Sequence, residues 1–160
     1  MFKKVEALSK EDKMFGDYVP LVKGLYILTV KEAEEGTTDE RVWEGSGFVN
    51  TGNQVPQLTL KFVCETEKGE NEIANLKGDV LVNPTYTVWV SDANLGWNRK
   101  TNQPKQGRAV LAALLNVAVD GILDYGKSED LIGKKMKVYM STETTKAGKE
   151  RNVLVDIIPV

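Results

Sequence analysis

From Leu21 onward the chain sets short apolar-patterned segments between connections rich in glycine, asparagine and charge. LVKGLYILTVKEAEE places β-branched and aromatic residues after Gly24 with partial alternation, which predicts a first strand. PQLTLKFVCET, from Pro56, alternates more cleanly: Leu58, Leu60, Phe62 and Cys64 face one way, and Thr59, Lys61 and Glu65 the other. That is a second strand with one solvated face. DVLVNPTYTVWVS predicts a third, with Val80, Val82, Tyr86, Val88 and Val90 on one face and Asn83, Thr85, Thr87 and Trp89 on the other, while Pro84 marks an edge or a bulge. In RAVLAALLNVAVDGILDYG the apolar residues Leu111, Leu114, Leu115, Ala118 and Ile122 recur at helical spacing, and Gly121 or Gly126 would end the helix. KMKVYMSTE alternates Met136, Val138 and Met140 against Lys135, Lys137 and Tyr139. ERNVLVDIIPV follows across the basic turn TTKAGKE, so these segments predict a fourth and a fifth strand.

The stretches between have no such period. Residues 1–20 read as a polar N-terminal arm ahead of a domain spanning 21–160, and GTTDERVWEGSGFVNTGNQ, from Gly36 to Gln54, reads as a long flexible loop with room for at most a short hairpin. Three strands, one helix and two strands is the order of the OB-fold, a five-stranded Greek-key barrel with its helix between strands three and four. A doubly wound parallel sheet requires crossover helices that this pattern lacks. A sandwich of seven strands leaves the helix unexplained. The expectation is a mainly β chain folded as one OB barrel.

Composition narrows the function by exclusion. A length of 160 residues fits one domain, and 41% hydrophobic with 28% charged residues is ordinary for a globular protein. No apolar run approaches the roughly 18 residues of a membrane span, and the N-terminus has no secretory pattern, so a cytoplasmic protein without membrane contact is expected. The single Cys64 has no disulfide partner. There is no histidine, which excludes imidazole acid–base chemistry and His-ligated metals. Phosphate-loop, dinucleotide and EF-hand patterns are absent, and the glycine cluster EGSGF precedes no helix. No enzyme, cofactor or metal is therefore expected.

The formal charge is only −2, but it is segregated: residues 31–40 and 65–72 are acidic, whereas 97–108 and 133–151 are mainly basic. Segregation allows a local positive groove on a weakly acidic body. Single strands are held by cations that track phosphates and by aromatic rings that stack on bases. On an OB barrel the ligand crosses strands two and three between the loops that join strands one to two and four to five. That surface selects Lys61 and Trp89 on the outward faces, Arg41 and Trp43 in the first long loop, and Lys146, Lys149 and Arg151 in the last turn. DANLGWNRKTNQPKQGRAV, between the third strand and the helix, adds Trp97, Arg99, Lys100, Lys105 and Arg108 as a mobile clamp. Each has a plainer alternative. Trp89 would otherwise cover the barrel end or sit beneath the N-terminal arm, Trp43 would anchor its loop, Trp97 would pack against the barrel from a disordered surface loop, and Arg108 would sit in the first turn of the helix.

The segments GLYILTVKEAEE, GRAVLAALLNVA, EDLIGKKMKVYMSTE and GKERNVLVDIIP resemble a bacteriophage-type OB-fold single-stranded DNA-binding protein, from about Leu21 to the end. The resemblance implies non-catalytic, oligomeric coating of single-stranded DNA in phage replication or recombination, alongside other phage replication or recombination proteins, in the host cytoplasm. One departure is the apolar ending DIIPV, where many such proteins carry an acidic recruiting tail. The alternative from another class is a phage structural or assembly module that uses the same barrel to bind protein.

Overall fold

The computed structural model describes residues 19–160, so the expected arm lies outside the described residues except for Val19 and Pro20. A five-stranded antiparallel sheet dominates. Its strands are β1 (Gly24–Glu44), β2 (Gly47–Thr66), β5 (Thr85–Ser91), β8 (Lys135–Thr144) and β9 (Glu150–Pro159), and they pair in the order β5-β2-β1-β8-β9. Two small hairpins, β3 (Glu72–Ala74) with β4 (Val80–Val82) and β6 (Trp97–Asn98) with β7 (Gln103–Pro104), are separate sheets. The helix α1 (Gln106–Leu115) comes between β7 and β8.

Alternation decides which side of the sheet is core. Leu28 and Val30 of β1, Leu58, Leu60, Phe62 and Cys64 of β2, Val88 and Val90 of β5, and Met136, Val138 and Met140 of β8 are all buried. The apolar face of α1, Val110, Leu111, Ala113 and Leu114, joins the same cluster with Leu131. Each such aliphatic or aromatic side chain contributes about 1.5–3 kcal/mol on burial, and a slip of one residue in any strand would reverse the faces. Core alternation therefore fixes the register.

Four expectations are corrected. The loop expected over 36–54 is instead the distal half of a long hairpin: β1 and β2 stay paired from Tyr26↔Thr66 to Glu44↔Gly47, with irregularities at Val30/Glu32 and Asp39/Arg41, and turn at Gly45 with φ 67°. Because nearly all its residues are exposed, that half carries no apolar–polar contrast, which is why its period was invisible in the sequence. The third strand breaks where Asn83 takes φ 48° before Pro84, which leaves Val80 and Val82 exposed at 60% and 62% instead of on the core face. Helix α1 stops at Asn116, in the left-handed region with φ 54°, where its N–H caps the carbonyls of Ala112 and Ala113. Ile122, expected on the buried stripe, is 89% exposed. Finally, the two outer strands, β5 and β9, share no ladder, so the sheet does not close into the expected barrel.

Candidate nucleic-acid interface

The open seam between β5 and β9 is a groove of about 780 Å³ lined by Tyr86, Thr87 and Trp89 from β5, Asn94 and Gln106 from the segment that follows, and Arg151 and Asn152 from β9. Strand alternation sends Val88 and Val90 into the core and so turns Trp89 outward, where it is 54% exposed. The Tyr86 hydroxyl spans the seam and donates to the Asn152 carbonyl at 3.4 Å. Its pKa is raised above the ordinary tyrosine value by burial, against a lowering effect of its hydrogen bond with Gln106. The Asn152 side chain is buried and secures the floor: it accepts from the Leu21 N–H at 2.9 Å and donates to the Leu21 and Ser141 carbonyls at 3.0 and 3.3 Å.

Beyond β5 an exposed strand edge would leave backbone groups open to pairing with another chain. Asn94 occupies that edge. Sitting in a short 3-10 turn, Asp92–Asn94, its amide donates to the Trp89 carbonyl at 2.7 Å and accepts from the Ser91 N–H at 2.9 Å. One side chain thus supplies both bonds that a neighbouring strand would have made there.

The 97–108 segment is built rather than loose. Trp97 pairs across from Pro104, its Nε1–H reaches Asn102 Oδ1 at 3.4 Å, and the Lys105 ammonium donates to the Ala93 carbonyl at 3.1 Å. Arg108 falls in the first turn of α1 and gives its guanidinium to the carbonyls of Leu95, Val119 and Gly121 at 2.6, 3.0 and 3.4 Å. These bonds from Nε and Nη1 tie the segment down, and the position in the first helical turn is the plainer of the two expected for this residue. Trp97, Arg99, Lys100 and Lys105 remain exposed.

Of the other expected residues, Arg151 is exposed in the groove and ion-paired with Glu143, its Nε 2.6 Å from the carboxylate. Lys146 and Lys149 lie on the exposed turn leading to it, closed by the Thr145 N–H to Lys149 carbonyl bond at 2.7 Å. Lys61 is on the outward face of β2, but its register partner on β1 is Glu32, and the next row outward sets Glu34 beside Thr59 and Trp89. Carboxylates in both rows oppose a phosphate path across the sheet face. Arg41 and Trp43 are on the projecting hairpin, where Trp43 packs edge-on against Phe48 with ring centroids 5.2 Å apart. Arg41 and Phe48 line a different cleft with Asp92 and Ala93, so the 3-10 turn separates the two sites, Asp92 and Ala93 lining the cleft and Asn94 the groove.

The structure therefore gathers Trp89 and Arg151 in one groove, keeps the 97–105 hairpin outside its lining between the groove residues Asn94 and Gln106, and leaves Arg41 and Trp43 apart. Electrostatics distinguish the groove as well. It has no carboxylate in its lining, whereas the cleft at the β1–β2 hairpin has Asp39, Glu40 and Asp92, the adjoining cavity Glu35 and Asp92, and the pocket at β3 Glu65, Glu70 and Glu72. Cys64 is in the core, its thiol pushed up to about 12 by burial. Tyr86, Asn94, Gln106 and Asn152 were missed from sequence. For Asn94 a signal exists, since Ser91-x-x-Asn94 has the spacing at which a side chain reaches back to the start of a helical turn. Among the described residues no helix is long and apolar enough to cross a membrane. No family model and no curated protein matches the chain.

Proposed function

We propose that this protein binds single-stranded DNA with little sequence preference, without catalysis, along the groove between β5 and β9. The observation that carries the reading is the exposed Trp89 ring and Arg151 in one groove whose lining holds no carboxylate, Glu143, the ion-pair partner of Arg151, lying outside that lining. A base stacked on such a ring gains about 1–3 kcal/mol, and every base offers a face to it, so affinity comes without sequence readout. Lys146 and Lys149 lead phosphates toward Arg151, and beyond Asn94 and Gln106 the hairpin adds Trp97, Arg99, Lys100 and Lys105 to the path. On this reading the sheet is an OB-type barrel opened at one seam. In its support, the strand order β5-β2-β1-β8-β9 sets strands three, two, one, four and five side by side, with the helix between three and four. The resemblance to phage single-strand binders assigns the activity to replication or recombination in a host cytoplasm.

Titration with oligo-dT tests this. Binding should quench tryptophan emission and weaken with salt, with a log–log slope of about −3 to −4 if four to six phosphates are contacted. Absence of binding at about 50 mM salt, where phosphate contacts are strongest, would reject the reading.

A second reading, a protein-assembly module, is favoured by the projecting hairpin, whose Val42, Trp43, Phe48 and Val49 are 40–68% exposed. It predicts self-association with no affinity for oligo-dT.

A further inference from the structure

The hairpin of β1 and β2 outruns the sheet. β8 pairs with β1 only as far as Thr29, and β5 with β2 only between Val63 and Gln57, so residues 37–56 pair with one another alone. A two-stranded ribbon is marginal in water without a further element against it. This one also holds apolar surface out to solvent: Trp43 and Phe48, 61% and 68% exposed, leave on the order of 250 Å² uncovered if each ring side chain presents the usual 150–250 Å². Between the ribbon and the 3-10 turn lies a cleft of about 650 Å³ that mixes Val42, Phe48 and Val55 with the carboxylates Asp39, Glu40 and Asp92. An occupant matching that lining is basic and partly aromatic.

The chain itself carries one. The β6–β7 hairpin presents Trp97, 40% exposed, next to Arg99 and Lys100 at its turn, and no carboxylate occurs between Ala93 and Val119. The ribbon side is the reverse: residues 31–44 hold six carboxylates against Lys31 and Arg41. We propose that the β6–β7 hairpin of one copy seats in the ribbon cleft of a second copy, Arg99 and Lys100 against Asp39, Glu40 and Asp92, and Trp97 against Phe48 and Val42. The two surfaces differ, so a one-way contact is heterologous, leaves a free cleft at one end and a free hairpin at the other, and adds further copies until a ring closes or an open chain forms. A hairpin seated in a neighbour takes Trp97, Arg99 and Lys100 out of the nucleic-acid path, whereas Trp89 and Arg151 in the groove stay open. The contact does not depend on DNA and is measured on protein alone.

The test is sedimentation equilibrium in low salt on three proteins: wild type, Asp39→Lys/Glu40→Lys and Arg99→Glu/Lys100→Glu. Wild type should associate beyond the dimer as concentration rises. Each variant alone should lose about tenfold or more in association constant, because like charges then face one another. An equal mixture of the two should regain association, since each reversed cleft then meets a hairpin of opposite sign, and this recovery also shows both variants to be folded. A wild type that stays monomeric, a hairpin variant that associates as wild type does, or a mixture that stays monomeric would each overturn the proposal.

Discussion

The side-chain amide of Asn94 donates to the backbone carbonyl of Trp89 at 2.7 Å, so the residue that ends the edge strand also fixes the backbone beneath the exposed ring. Removing it in Asn94→Ala opens both the Trp89 carbonyl and the Ser91 N–H. We expect a loss of about 1–2 kcal/mol in urea denaturation, with a shift in tryptophan emission in the native baseline. Unchanged stability would mean that solvent replaces the amide without cost.

Gly107, in the first turn of α1, backs onto the same side chain. A methyl there would overlap Asn94 and approach its carbonyl oxygen to 2.9 Å. In an open helix Gly→Ala stabilises by up to about 1 kcal/mol, whereas here the collision reverses the sign and Gly107→Ala should destabilise by about 1–3 kcal/mol. A rise in melting temperature would show that the 92–94 turn is free to move aside.

Asn152 ties the first described residues to β9 through the Leu21 N–H and carbonyl, at 4% exposure. Asn152→Leu leaves both Leu21 groups unsatisfied in the interior. A cost of about 2–4 kcal/mol is expected in chemical denaturation.

Stability should also fall at alkaline pH. The Cys64 thiol is raised from 9.0 to about 12 in the fold by burial, so between those values the unfolded chain releases a proton that the folded one keeps. The stabilisation is complete below pH 9 and declines toward pH 12. Burial raises Tyr26 and Tyr86 in the same direction. Cys64→Ala should flatten the slope of unfolding free energy from pH 9 upward, even though its cavity lowers stability at neutral pH; an unaltered slope would assign the decline to the tyrosines.

What was legible in the sequence follows burial. Where one face of a strand meets the core, as in Leu58-x-Leu60-x-Phe62-x-Cys64, alternation gave both the strand and the outward side of Trp89. Where no face is buried, as from Gly36 to Val55, the same backbone pairing left no mark and the hairpin read as a loop. The helix was found, but its end was set by Asn116 in a left-handed turn rather than by the glycines beyond it. The basic 97–108 segment was located by composition. Composition did not separate Arg108, spent on three carbonyls, from Arg99 and Lys100, which stay exposed. The groove itself depends on β5 and β9 approaching without pairing, a long-range relationship that no local pattern encodes.

The central claim is that the seam binds single strands through Trp89 and Arg151, and it is tested most directly by anisotropy of a labelled oligo-dT with wild type, Trp89→Ala and Arg151→Gln. Trp89→Ala should weaken binding by about 1–3 kcal/mol at every salt concentration, with the salt slope intact. Arg151→Gln should lower the magnitude of the slope by about 0.7, the share of one phosphate. Wild-type affinity and slope in both variants would contradict the account.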